Sequence, residues 1–329
     1  MIFDRIDFHN VEEMIPCEDG YRLNRLPAAV REQINEGARV GASFHSSGVE
    51  LRFRILSGEV DLYLRMEDAT EALPALIYYG SFQGGWEYSA KCIGEGKSRI
   101  HIRPAQTLPA LQKLTEEKRL LYRPELVRVL LPYGKCVYMG VEGNIEPPHP
   151  GDVPGSVCLT YGSSITHGSL ALGAQQSYAS RIARSLGCDH INLGLAGCCH
   201  LEEEMAHYLC SRKDWRVCTV EMGINMLGSF SEEAFEQRVA RFVQIMQQDG
   251  RPVFVTSLFA YAYDEELQKK GAAFRRIVKR QVEGKLPFID GLELLDDPSM
   301  VAEDLVHPSL EAHEQIAQRW SQFILSHLK

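Results

Sequence analysis

Four short stretches carry residue types that can do chemistry together. Gly162-Ser163-Ser164-Ile165-Thr166-His167-Gly168 sets serine hydroxyls in a turn flanked by glycine. Asn192-Leu193-Gly194-Leu195-Ala196-Gly197 offers backbone N–H groups where the chain comes close to something, and Glu221-Met222-Gly223-Ile224-Asn225-Met226 adds an asparagine amide. Asp304-Leu305-Val306-His307-Pro308 puts a carboxylate three residues ahead of an imidazole. Such a carboxylate can orient the ring and stabilise its protonated form while the ring takes a proton from a serine hydroxyl. Backbone N–H groups and an Asn-type amide are the donors that a developing oxyanion needs. Together these are the parts of acyl transfer. Taken singly, each has a plainer reading: a capping turn at 163–166, tight strand-to-helix turns at Gly194 and Gly197, and a capping loop at 304–307.

These stretches gain meaning from the elements that position them. After the Pro- and Gly-rich stretch from Pro147 to Gly155, strand-like and helix-like segments alternate. Short buried strands are expected at Ser156–Tyr161, His190–Leu193, Val217–Met222, Val253–Leu258 and Pro287–Asp290. Helical periodicity covers about Ser177–Leu186, Leu201–Arg212, Ser231–Gln248, Asp264–Glu283 and Leu310–Leu328. That alternation predicts parallel βαβ units in a three-layer α/β/α domain, with ligands at the carboxyl ends of the strands. All four stretches fall at that edge.

Before the linker the pattern changes to alternation of apolar and polar residues. Val49–Ile55, Val60–Met66, Ser98–Ile102, Val127–Leu131 and Val137–Val141 read as half-buried antiparallel strands. They predict a β-sandwich of jelly-roll kind, giving an N-terminal β-sandwich domain at 1–150 and an α/β domain at 151–329.

The order Ser, Gly, Asn, Asp/His along one α/β domain resembles the SGNH/GDSL hydrolases. Gly162-Ser163-Ser164-Ile165 matches their first block, usually Gly-Asp-Ser; Gly197 matches the second, Gly223-x-Asn225 the third and Asp304-x-x-His307 the last. The resemblance implies a flavodoxin-like parallel sheet, Ser164 as nucleophile, His307 as base and Asp304 as its partner. It also implies an oxyanion hole from the N–H of Ser164, the N–H of Gly197 and the amide of Asn225. Ser163 stands in place of the usual Asp, and Met226 in place of an Asp that often follows the Asn. Cys199-His200-Leu201-Glu202 and the near motif Gly58-Glu-Val-Asp61-Leu62-Tyr63 resemble a bacterial branch with an N-terminal β-sandwich. The implied activity is a serine esterase acting on small acyl esters, acetylated oligosaccharides by preference. An acyltransferase with the same triad and an inactive carbohydrate-binding protein are the alternatives.

Composition bounds the rest. With 45% hydrophobic and 24% charged residues, the 329-residue chain has the make-up of an ordinary globular protein. A net charge of −9 without any basic run argues against nucleic acid and anionic membranes as partners. Nine cysteines among apolar neighbours, and no basic start followed by an apolar run, read as reduced thiols in a cytoplasmic protein. Oligomeric state is not legible.

Other sites are weighed and set aside. His200, Glu204 and His207 share helical spacing near Cys198, Cys199 and Cys210, but lack any zinc-type spacing. No metal or cofactor is therefore expected, and His200 is assigned to substrate binding beside Gly197, with core packing as the alternative. His167, on the helix that starts at the nucleophile, is expected to point away from the Ser164 hydroxyl. Gly94-Glu-Gly96-Lys97-Ser98 lacks the earlier glycine of a phosphate loop, that place being Lys91. Trp86 and Tyr88 read as core in preference to a sugar platform.

Overall fold

In the computed structural model, described over residues 1–86 and 89–328, the chain forms two compact units. The first comprises residues 1–27, 44–155 and 187–189, and the second residues 28–43, 156–186 and 190–329.

The first unit is built from eleven antiparallel strands hydrogen-bonded into one system. Alternation works as predicted in Glu50–Glu67, where Val60, Leu62, Leu64 and Met66 are all buried. The two strands expected there, around 49–55 and 60–66, are instead one strand of 18 residues. Ser57-Gly58-Glu59 is exposed but stays within the strand, with Gly58 taking φ of +70°. The antiparallel partner Lys135–Glu146 follows it from Glu67 to Arg54 through register shifts near Gly140 and Asn144, so pairing resumes past the polar break. Residues from nearly all these strands close over one apolar core that includes Phe8, Leu51, Phe53, Ile77, Ile100 and Tyr138. Gly94–Ser98 is the link between strands Ala90–Ile93 and Ser98–Ile102, closed by the Ser98 hydroxyl accepting from Gly94 N–H at 3.1 Å. One helix, Leu108–Lys118, was not expected. Trp86 is fully exposed, which corrects its assignment to the core, and Tyr88 lies outside the described residues.

The second unit follows the predicted strand–helix alternation. Its elements in chain order are β1 (Val157–Gly162), α1 (Ser164–His167), α2 (Tyr178–Ser185), β2 (Asp189–Gly194) and α3 (Glu203–Ser211). Then come β3 (Val217–Glu221), α4 (Glu232–Asp249), β4 (Val253–Thr256) and α5 (Glu265–Val282). β5 (Phe288–Ile289), α6 (Gly291–Leu294) and α7 (Leu310–His327) follow. The strands are short and buried throughout because helices pack over the sheet, so no polar alternation is needed. Their order is β2-β1-β3-β4-β5, with β1–β3, β3–β4 and β4–β5 each parallel. This is the flavodoxin-like order, in which the switch point for ligands lies between the carboxyl ends of β1 and β3. Residues 28–43, though before the linker, belong to this unit. Among the described residues no helix is long and apolar enough to cross a membrane.

Candidate active site

The switch point is where β1 delivers Ser164. Ser163 caps α1, its hydroxyl accepting from Ile165 N–H at 3.1 Å. Gly168 closes this single helical turn in the left-handed region, with φ of 100°. Ser and Asp are equivalent N-caps. The missing Asp at 163 is thus replaced by a residue that does the same structural work. From this turn Ser164 Oγ lies 2.8 Å from His307 Nε2.

His307 is fixed from behind by the loop that precedes α7. Asp304 Oδ2 lies 2.5 Å from His307 Nδ1, while Asp304 Oδ1 accepts N–H bonds from Val306 and His307, both at 3.0 Å. The carboxylate can only accept here, so Nδ1 carries the proton and Nε2 is left to accept from the serine. Partial burial works to raise the Asp304 carboxyl, but the bonds from His307 and Val306 outweigh it and hold it below the usual range. The loop itself is tied down: Ala302 N–H donates to His307 O at 2.7 Å and Ala262 N–H to Leu305 O at 2.8 Å. Leu305 adopts φ of +64°, a left-handed conformation uncommon for leucine, between the carboxylate and the imidazole.

The loop after β2 runs alongside. Leu195 N–H donates to Gly162 O at 2.8 Å and Cys198 N–H returns to Leu195 O at 3.0 Å. The turn needs φ of +70° at Gly197, which glycine adopts without strain. Ala196 N–H donates to His167 Nδ1 at 3.4 Å, so the His167 ring faces this loop. Asn225 Oδ1 accepts from Cys199 N–H at 3.1 Å. With its carbonyl used in this way, the asparagine has its NH2 group to offer as donor. The structure therefore joins Ser164, His307 and Asp304 in one hydrogen-bonded run, and ties Asn225 to the Gly197 loop. His200 sits half-buried with its ring edge-on to Phe230, centroids 5.2 Å apart. Among the described residues His200, Glu204, His207 and the nearby cysteines form no group of three able to hold a metal ion.

Sequence reasoning missed two supports of this site. Asn35, within the segment 28–43, donates its amide to Cys198 O at 2.9 Å and to Glu202 Oε1 at 2.6 Å, bracing the Gly197 loop. No periodicity marks it; only its place as N-cap of the short helix Glu36–Val40 is readable. The other is Glu221, the last residue of β3, 1% exposed, whose Oε2 accepts from Ser163 N–H at 2.8 Å and from the Thr166 hydroxyl at 3.2 Å. Burial pushes its carboxyl up, against the bonds from Ser163 and Thr166 and the influence of His307. An ionisable residue ending the apolar strand Val217-Cys-Thr-Val was the available signal.

The model of the GDSL-like Lipase/Acylhydrolase family matches residues 160–315, from β1 into α7. Residues 160–315 are a GDSL-like lipase/acylhydrolase domain. The match takes in the end of β1, all of β2 to β5 and both ends of the Ser164–His307–Asp304 run. Among solved structures, a salicylyl-acyltransferase from a tetracycline biosynthetic pathway is 15% identical, with a TM-score of 0.72, covering 98% of this chain and 95% of that one. A family two carbohydrate esterase from Clostridium thermocellum, in complex with cellohexaose, is 16% identical with a TM-score of 0.56, over 85% and 92% of the two chains. An acetyl xylan esterase from the rumen bacterium Butyrivibrio proteoclasticus is 12% identical with a TM-score of 0.55, over 87% and 92%. At these identities the likeness is one of fold, and it extends beyond the GDSL-like domain to the N-terminal unit. No curated protein matches the chain.

Proposed function

We propose that the protein is a serine esterase that hydrolyses small acyl esters, acetyl esters of short oligosaccharides by preference, through an acyl-enzyme at Ser164. The observation that carries this reading is the run from Ser164 Oγ to His307 Nε2 at 2.8 Å and from His307 Nδ1 to Asp304 Oδ2 at 2.5 Å. Ser164 Oγ attacks the ester carbonyl while His307 accepts its proton and Asp304 stabilises the imidazolium. The N–H groups of Ser164 and Gly197 and the Asn225 amide receive the oxyanion. The tetrahedral intermediate collapses, the alcohol leaves with the proton from His307, and water enters by the same steps in reverse. These steps call on no metal or cofactor. His200, beside the Gly197 loop, is assigned to the wall of the substrate pocket.

The preference for a sugar acetate draws on the fold shared with the carbohydrate esterase and the acetyl xylan esterase, and on the small acyl groups of such substrates. The nine cysteines, read as reduced thiols, favour a cytoplasmic enzyme, for which imported oligosaccharides are the accessible form. A second reading, transfer of the acyl group to an alcohol, uses the same atoms and draws on the fold of the salicylyl-acyltransferase. Turnover of p-nitrophenyl acetate by wild type and Ser164→Ala tests the chemistry: loss of a triad member costs several orders of magnitude in rate. Equal rates in the two proteins contradict the proposal. Product analysis with acetylated xylo-, manno- and gluco-oligosaccharides, with and without an acceptor alcohol, then separates hydrolysis from transfer.

A further inference from the structure

We propose that Glu221 is a positioning residue for this chemistry, holding the Ser164 turn from both sides through one oxygen. The inference rests on the esterase reading above. Glu221 ends β3 beside the end of β1, since Tyr161 and Val220 are register partners. Its Oε2 receives Ser163 N–H just before Ser164 and the Thr166 hydroxyl two residues after it. Thr166 Oγ1 and Tyr178 OH are 2.5 Å apart. Because the carboxylate takes the Thr166 proton, Tyr178 must be the donor to Thr166, and the relay ends on Glu221.

Glycine at 162 has its reason here too. A Cβ at that position would lie 2.8 Å from Glu221 Oε2 and closer still to Thr166 Oγ1, so only a residue without one admits the carboxylate beneath the turn.

Both hydrogen bonds fall on Oε2, while Oε1 is buried with no hydrogen-bond partner among the described residues. A glutamine would accept both bonds without the desolvation that a carboxylate suffers.

Glu221→Leu removes the acceptor, and Glu221→Gln keeps it. The expected result is a Glu221→Leu protein with kcat lower by about tenfold at an unchanged KM, and a Glu221→Gln protein that regains most of that kcat. Thr166→Val removes one of the two bonds, leaves the carboxyl in place, and should lower kcat less; it carries the test if Glu221→Leu does not fold. A folded Glu221→Leu or Thr166→Val enzyme with wild-type kcat overturns the inference and makes Glu221 structural only. Ser164→Ala is assayed alongside. If it is inactive and the other variants are unaltered, only this inference fails; if it is active, both readings fail.

Discussion

Asn225 and Asp304 each present two polar atoms, and in the proposed mechanism the two atoms of each side chain have separate tasks. Asn225 gives its carbonyl to Cys199 N–H, and Asp304 gives one oxygen to its own turn and the other to the imidazole. Asn225→Ala should therefore lower kcat by about 10²- to 10³-fold with little change in KM, as for loss of one oxyanion donor; steady-state kinetics on p-nitrophenyl acetate checks this. A rise in KM alone would place Asn225 in ground-state binding instead. Asp304→Asn should lower kcat further, to about 10⁴-fold, because the wrong imidazole tautomer is then favoured. Ser163→Ala should cost about 1 kcal/mol of stability through loss of the cap, read by denaturant unfolding. At this scale the sequence was legible where a side chain stands next to a glycine or proline marker, as at Ser164, Asn225 and His307. Glu221 and Asn35 escaped because their partners are 58 and 163 residues away along the chain.

Among the elements, the end of β2 and α1 meet with no room for a side chain at Gly194. A Cβ on Gly194 would lie 2.3 Å from His167 N, a backbone atom that cannot swing aside. Gly194 N–H is also held by Asn192 Oδ1 at 2.8 Å, and Asn192 Nδ2 donates to Thr166 O at 3.0 Å. Gly194→Ala should destabilise by about 1–3 kcal/mol, as overpacking of a close contact does, and should displace the Ser164 turn enough to lower kcat. Thermal unfolding and kinetics together test it; an unchanged Tm would show that the strand end yields. The parallel strands and their helices were readable to within one or two residues at most ends, because buried strands and amphipathic helices differ in period as well as length. The first unit was harder. A polar break at Ser57–Glu59 looks like a turn in one dimension, and only the long partner strand reveals that pairing resumes past it. The helix Leu108–Lys118 buries only Thr115 in full, so its apolar stripe is faint.

At the scale of the molecule, acid should loosen both units well before the carboxylates are protonated. His313 is buried in α7, its Nδ1 accepting from Tyr178 N–H at 3.2 Å, a bond that only the neutral ring can accept. Burial, with Arg181 and His307 nearby, drives its pKa down to about 4, and burial with Arg25 and Lys135 does the same for His45 in the first unit. Because these folded-state values lie below the unfolded value of 6.5, the unfolded chain binds more protons between pH 6.5 and 4. Stability is therefore full above pH 6.5 and falls as the pH is lowered towards 4, by about 3 kcal/mol for a fully buried histidine with this shift. Calorimetric Tm values from pH 7.5 to 4 should show the decline, and His313→Gln should flatten it. The central claim, an acyl-enzyme at Ser164, is most directly tested by labelling with a fluorophosphonate that forms a stable adduct with an activated serine, read by intact mass and peptide mapping. The account predicts one adduct per chain, on Ser164, absent in Ser164→Ala and much slower to form in His307→Ala. A label that persists in Ser164→Ala, or a wild type that turns over p-nitrophenyl acetate yet takes up no label, would contradict it.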